Sequence, residues 1–132
     1  MTNSFDKVKD YVTELGHSIV LENKEESILV IEDESVGLKN FVLGCADPIL
    51  IMEQHILDVS DKQPNVFKRL LQKNRDIIHG AFVLDETGEK LIFRDTLQIG
   101  SLDINELEGS INSLTLLLSE YSDELIQYSK NN

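Results

Sequence analysis

The sequence predicts an α+β domain in which an antiparallel sheet packs against helices. Segments with strand character follow one another in runs instead of alternating with helices, which favours antiparallel pairing. Two apolar runs flank the Gly-containing turn at 85–89, which is a strong hairpin signal. The last third of the chain has an apolar stripe on one side, which indicates one long helix. The expected order is α-β-β-β(-β)-α-β-β-α, in a single domain that covers residues 1–132.

The first helix and the first three strands are predicted from capping residues and β-branched runs. The helix is expected to begin at Ser4, whose hydroxyl suits an N-cap, and to stop at Gly16. Its apolar face contains Phe5, Val8, Val12 and Leu15. Strands rich in apolar residues follow at 18–21, 28–31 and 38–45, with polar turns between them.

The middle of the chain is expected to contain a fourth strand and a second helix. Asp47-Pro48 should end the third strand, because proline cannot donate a hydrogen bond to a sheet. Segment 49–59 is apolar enough for a strand buried on both faces, and its β-branched start favours a strand over a helix. Pro64 suits the first position of the second helix, which is expected to end near Arg75.

A hairpin and the long helix are predicted to complete the domain. The hairpin strands are expected at 77–84 and 90–97, and Asp103 suits the N-cap of the final helix, with Glu106 as its capping-box partner. Gly109 costs this helix about 1 kcal/mol relative to alanine, which close approach of another backbone or simple tolerance would explain. The apolar stripe, with gaps of three and four residues, consists of Ile104, Leu107, Ile111, Leu114, Leu118, Tyr121, Leu125 and Tyr128. Such a stripe must be covered, either by the rest of the domain or by a second copy.

The charge of the chain is strongly negative and unevenly distributed. Its net charge is −12, from 24 acidic and 12 basic residues. Such a field repels phosphate backbones and anionic membrane surfaces, so neither nucleic acid nor a membrane is an expected partner. Segment 62–75 is the exception, because it contains five basic and no acidic residues. This basic segment is either a solvated helix face or a surface that attracts the acidic surface of a second subunit.

Cysteine usage and the N-terminal segment indicate a reduced, cytoplasmic protein. Cys45 is the only cysteine, so an internal disulfide and a cysteine-based zinc cluster are excluded. Residues 1–6 lack a basic region followed by an apolar run, so no secretory signal is expected. The apolar runs are too short for a membrane span, which needs about 18 residues.

No catalytic, cofactor-binding or metal site is predicted. The three histidines, His17, His55 and His79, lie in or beside predicted strands and do not group with other possible metal ligands. His79 is expected to be a hydrogen-bonded strand residue. Cys45 is expected to be a buried structural thiol, because its small apolar neighbours offer no group that would lower its pKa. The glycines are scattered and form no phosphate-binding loop.

Six segments together match a known family pattern. They are LKNFV at 38–42, CADPIL at 45–50, FKRLLQKNR at 67–75, HGAFVL at 79–84, FRDTL at 93–97 and LEGSIN at 107–112. On these segments the chain resembles the type III secretion chaperone-like fold family, in the branch of YbjN-domain and Tir-chaperone-like proteins. The resemblance implies a small acidic cytoplasmic homodimer that holds a partner polypeptide on its sheet and helices, without enzymatic activity.

Three hypotheses of function follow from the sequence. The leading one is a non-enzymatic, chaperone-like homodimer that holds an extended segment of a partner protein on an exposed sheet edge and in apolar grooves. The second is a regulatory or adaptor protein that binds one folded partner. The third is an enzyme whose site is assembled from Cys45, His55 or His79. Under the leading hypothesis, the dimer interface is expected on the second helix, at Val66, Phe67, Leu70 and Leu71.

Overall fold

Six strands and three helices make up the chain in this computed structural model, which describes residues 4–129. Residues 1–3 and 130–132 lie outside the described residues. The expected domain, 1–132, includes both segments, and the N-terminal segment 1–6, in which no secretory signal is expected, includes the first. The helices are α1 (Ser4–Glu14), α2 (Pro64–Asn74) and α3 (Ile104–Tyr128). The strands are β1 (Ser18–Asn23), β2 (Ile28–Asp33), β3 (Leu38–Ala46), β4 (Ile49–Asp58), β5 (Ala81–Leu84) and β6 (Lys90–Gln98).

The strands form one antiparallel sheet in the order β1-β2-β3-β4-β6-β5. The predicted α+β class is therefore confirmed. The first four strands follow the chain as a meander, whereas β6 pairs with β4 and leaves the short β5 outside it. The two edges of the sheet are consequently β1 and β5. The turn before β4 lies at Asp47-Pro48, as expected from proline, and its peptide bond is cis.

The core lies on one face of the sheet, where all three helices pack. Inward-facing side chains such as Ile31, Met52 and Phe93 are almost completely buried together with Val8 of α1 and Leu114 of α3. Residues of alternate parity along the strands point to the opposite face, because successive strand side chains alternate. No helix among residues 4–129 belongs to that outer face, so its aliphatic side chains stay partly exposed. Segment 49–59 is accordingly buried on one face and half-buried on the other.

The stripe of the long helix is covered by the rest of the domain. Leu107, Ile111 and Leu125 are buried in the common core. Asp103 is the N-cap, as predicted, and its carboxylate accepts a hydrogen bond of 2.8 Å from the backbone N–H of Glu106. The sequence left open whether the rest of the domain or a second copy covers this stripe, and the structure shows that the domain covers it.

Two local predictions are corrected by the structure. Residues 77–80 do not belong to the hairpin strand, because Ile78 is 88% exposed and Gly80 has a φ of +83° that breaks the extended conformation. His79 is therefore not a strand residue. The helix α1 begins at Ser4, as expected, but Ser4 is its first helical residue and not the N-cap that precedes the helix. Its hydroxyl donates a hydrogen bond of 2.9 Å to the Asp47 carboxylate.

Candidate partner-binding surfaces

The edge strand β1 is open to solvent along its length. Ile19 is half-buried against the core, whereas the other residues of β1 are exposed, including Val20 at 52% and Leu21 at 50%. The pairing register with β2 shifts between Ile19 and Leu21, so Val20 lies at an irregularity of the strand. Within residues 4–129, every main-chain hydrogen bond of this strand goes to β2. An unpaired row of N–H and C=O groups beside exposed aliphatic residues is a template for another strand.

The opposite edge strand, β5, is blocked by a side chain. The Asn74 amide nitrogen donates to the Phe82 carbonyl over 3.1 Å, and the Phe82 N–H donates to the Asn74 side-chain oxygen over 2.7 Å. This pair of bonds occupies the outward groups in the middle of a strand of four residues, so little free edge remains. Of the two edges, β1 is therefore the better candidate for strand addition.

An apolar groove of about 240 Å³ lies between α2 and β5. It is lined by Phe67, Leu70, Leu71, Phe82, Val83, Leu84 and Leu91. Three of the four residues expected at the dimer interface are at least half-buried in the chain itself: Val66 is 8% exposed, Leu70 is 4% exposed and Phe67 packs partly against the core. Leu71 is 71% exposed. The surface that α2 offers to another molecule is thus Leu71 with the accessible part of Phe67.

The basic segment 62–75 contains one lysine that forms an ion pair and two cations, Lys68 and Arg75, that form none with the described residues. Lys73 forms an ion pair with Glu124 of α3, and its ammonium lies 4.2 Å from the centre of the Tyr121 ring. The hydrogen bond from Lys73 holds the pKa of the Glu124 carboxyl below its usual value. Lys68 and Arg75 make no ion pair with any of the described residues.

The outer face of the sheet has a row of aliphatic side chains next to a charged pair. Leu21, Val30 and Val42 lie side by side on three neighbouring strands. Glu53 continues this row on β4, and it accepts a hydrogen bond of 3.1 Å from Arg94 on β6. The row is therefore aliphatic on three strands and ends in one ion pair between neighbouring strands.

Cys45 and His55, two residues considered for chemistry, each have local surroundings that the structure describes. Burial raises the pKa of the half-buried Cys45 thiol, with a smaller contribution from the Asp47 charge, which keeps the thiol in its less nucleophilic form. His55 Nε2 lies 2.9 Å from an Asp58 carboxylate oxygen, a partner three residues away that sequence reasoning missed. The Lys90 ammonium lies 3.9 Å from the same Asp58 carboxylate. In the described part of the chain, no three or more His, Cys, Asp or Glu side chains are placed to hold a metal ion.

His79 packs against the glycine of the long helix. A Cβ added at Gly109 would lie 3.4 Å from His79 Nε2, so the close approach comes from an imidazole and not from another backbone. The hydroxyl of Ser113 donates to the His79 carbonyl over 2.7 Å. Both contacts attach the connection after α2 to α3, so the role that this structure gives His79 is one of packing.

Comparisons with known proteins identify a family from the sequence and a fold from solved structures. The family model CesT_Tir_1 matches residues 1–131. The crystal structure of YbjN from E. coli superposes with a TM-score of 0.67 at 13% identity, covering 91% of this chain and 92% of YbjN. The Yersinia pestis type III secretion chaperone SycH, crystallised in complex with a stable fragment of YscM2, gives a TM-score of 0.59 at 16% identity, covering 96% and 100%.

No curated protein matches the chain. Among residues 4–129, no helix is both long and apolar enough to cross a bilayer. The match of the family model along nearly the whole sequence and the shared sheet-and-helix architecture lead to one conclusion: the chain belongs to the CesT_Tir_1 family and has the fold of type III secretion chaperones.

Proposed function

We propose that this protein is a non-enzymatic, chaperone-like module that holds an extended segment of a partner protein against β1. The observation that supports this role is the open edge of β1, with Val20 and Leu21 half-exposed beside it. Membership of the CesT_Tir_1 family supports a chaperone-like role in general. The solved structure of SycH with a YscM2 fragment gives an example of a partner bound to this fold.

The proposed binding is strand addition. The partner segment would continue the sheet next to β1, and its main-chain hydrogen bonds would supply affinity without regard to sequence. Its alternate side chains would extend the outer row of Leu21, Val30 and Val42, where apolar contact supplies selectivity. No bond is made or broken, which fits the raised pKa of Cys45.

The proposal includes a cytoplasmic homodimer. The dimer interface predicted at Val66, Phe67, Leu70 and Leu71 remains part of it, with Leu71 as the most accessible contact. Because α2 and β1 lie at opposite ends of the strand order, a second copy on α2 would leave the β1 edge free for a partner segment.

A pair of surface variants tests the proposed binding edge. The protein with Val20→Ser and Leu21→Ser loses apolar surface beside β1 without touching the core, since both side chains are about half-exposed. We expect this variant to lose the partners that the unmodified protein retains from extracts of the source cell, measured by quantitative mass spectrometry. The matched control is Ile78→Ser with Leu116→Ser, which removes exposed apolar surface elsewhere and should retain them. Equal retention by both variants would argue against β1 as the binding edge.

A second function is favoured by the outer face of the sheet. Six strands spaced about 4.8 Å apart present a surface roughly 25 Å wide, which is broader than one extended segment covers. A regulatory or adaptor protein that binds one folded partner would use such a surface. Val42→Asp and Ile51→Asp place charges on this face, and loss of a single stoichiometric partner from these variants, with normal binding by the β1 variant, would identify the adaptor role.

A further inference from the structure

The open edge of β1 lies in the most acidic hairpin of the sheet. Residues 18–34 contain six acidic residues and one lysine, a net charge of −5. The acidic residues are Glu22, Glu25, Glu26, Glu32, Asp33 and Glu34. The side chain of Glu22 is neutralised by Lys9 of α1, whose ammonium lies 3.0 Å from it. The other five form no ion pair with the described residues.

Of these five residues, Glu32 lies on β2 opposite Ser18, and the Asp33 carboxylate accepts a hydrogen bond of 2.6 Å from the Ser35 hydroxyl. Glu25, Glu26 and Glu34 lie in the connections that follow β1 and β2. Glu25 and Glu26 are exposed in the turn that follows Asn23. At the other end, Ser18 pairs with Glu32, so Asp33 and Glu34 extend past the start of the edge strand. The centre of β1, between these two acidic ends, carries the exposed Val20 and Leu21. The edge is therefore apolar in the middle and negative at both ends.

We infer that the segment held by β1 is apolar in its centre and basic at both ends, an inference that rests on the proposed function. Lysine or arginine side chains at its ends would lie near the carboxylates beyond the two ends of β1. Opposite charges so placed accelerate association and disfavour segments with acidic ends. The apolar centre would contact Val20 and Leu21 in the manner of any neighbouring strand.

A second copy of the chain is a poor occupant of this edge. Two copies that paired their β1 strands about a twofold axis would run antiparallel, with the start of one strand beside the end of the other. The acidic ends of one hairpin would then lie beside those of its partner, and each chain has a net charge of −12. Repulsion between like charges disfavours that contact, whereas a basic segment is attracted by the same residues.

Two synthetic peptides test the inference. Both have the same alternating valine and threonine centre, and one has lysines at both ends where the other has glutamates. Binding of the fluorescently labelled peptides to the full protein is measured by anisotropy at low and high salt. We expect the lysine peptide to bind at least about tenfold more tightly, and this preference to shrink as salt screens the charges.

Charge-reversal variants locate the effect on the protein. Glu25→Lys with Glu26→Lys should weaken binding of the lysine peptide by about tenfold. The matched control, Glu86→Lys with Glu89→Lys, makes the same change in net charge in the β5–β6 turn and should leave the affinity within about twofold. Val20→Ser with Leu21→Ser should weaken both peptides, because it removes the apolar contact that they share.

The other possible results each contradict a different part of this inference. Equal affinity for both peptides, lost in the Val20 and Leu21 variant, would reject the basic ends and leave the proposed function intact. Equal weakening by the two charge-reversal pairs would reduce the preference to general attraction by an acidic molecule. Binding of neither peptide would overturn the proposed function as well. A fall in the mass of the protein itself on changing Val20 and Leu21 would show that a second copy occupies the edge.

Discussion

The short connection between α2 and β5 depends on two residues, Gly80 and Asn74. Gly80 has a φ of +83°, and a Cβ at that position would lie 2.4 Å from the Phe93 ring. Asn74 satisfies the outward N–H and C=O of Phe82. The glycine lets the chain pass over a core aromatic ring, and the amide then ends the sheet at β5 in place of a further strand.

Gly80→Ala is expected to destabilise the protein by about 2–5 kcal/mol. The left-handed backbone costs a residue with a Cβ about 1–2 kcal/mol, and the clash with Phe93 adds the cost of overpacking, about 1–3 kcal/mol. Gly88→Ala is the matched control, since Gly88 has a φ of +76° but no atom within 4 Å of an added Cβ. It should cost about 1 kcal/mol. Urea unfolding measures both variants, and an equal loss would show that Phe93 moves aside without cost.

The residues that could be predicted from the sequence have partners nearby in the chain, whereas those that were missed have partners brought close only by folding. The Asp103 cap was predictable because its partner, the Glu106 N–H, lies three residues away in a recurring local motif. Asn74 was not, because its bonds to Phe82 exist only once α2 packs beside β5. The side chain that covers Gly109 belongs to His79, thirty residues earlier, so the reason for that glycine also lay outside any local pattern.

At the scale of elements, one side chain of α2 links it directly to α3. Lys73 is shielded from solvent, with 13% of its side chain exposed, and contacts both Glu124 and the Tyr121 ring. The basic segment that the sequence offered as either solvated or attractive to a second subunit thus has a third role inside the chain. Lys73 points inward because it lies on the same side of α2 as Val66 and Leu70, while Lys68 and Arg75 point away.

The ion pair between α2 and α3 gives stability a specific pH dependence. The pKa of Glu124 is lowered in the folded state by the hydrogen bond from Lys73, so its contribution is complete above the unfolded value of 4.5. It is lost as the pH falls from there through the lower folded pKa. We expect Glu124→Gln to have a lower Tm than the unmodified protein at pH 7, and the difference to disappear in acid. Glu120→Gln, exposed on the same helix, is the control and should show no such convergence.

The elements themselves were predicted well where periodicity and turn residues agreed. The alternating run before Asp47-Pro48, the capped stripe of α3 and the turn around Gly88 all gave elements of the expected type. The failure at 77–80 has a physical cause, since Ile77 and Ile78 look like the start of an apolar strand but Ile78 is 88% exposed. These two residues lie in the connection between α2 and β5, and hydrophobicity alone does not distinguish such a connection from a strand.

At the scale of the whole molecule, the candidate site follows from strand order, which the sequence did not specify. The predicted hairpin of β5 and β6 could have joined the meander through either strand, and only pairing of β6 with β4 makes β5 an edge. A free edge was foreseen as the binding element, but the choice between two edges depends on Asn74 at one and the acidic, uncapped β1 at the other. Both distinctions arise from tertiary packing.

The predicted dimer can be tested at the one α2 residue that is both apolar and exposed. Leu71 lies on the same side of the helix as Lys68 and Arg75, at spacings of three and four residues, so it is an apolar contact flanked by two unpaired cations. An acidic surface of a second copy would complement this patch.

We expect Leu71→Asp to raise the dimer dissociation constant at least about tenfold, measured by light scattering over a range of concentrations. Leu116→Asp, 61% exposed on α3, is the control that should leave the mass unchanged. A dimer that persists in the Leu71 variant would remove α2 from the interface, and a monomeric unmodified protein would remove the dimer while leaving the β1 edge and its partner segment untouched.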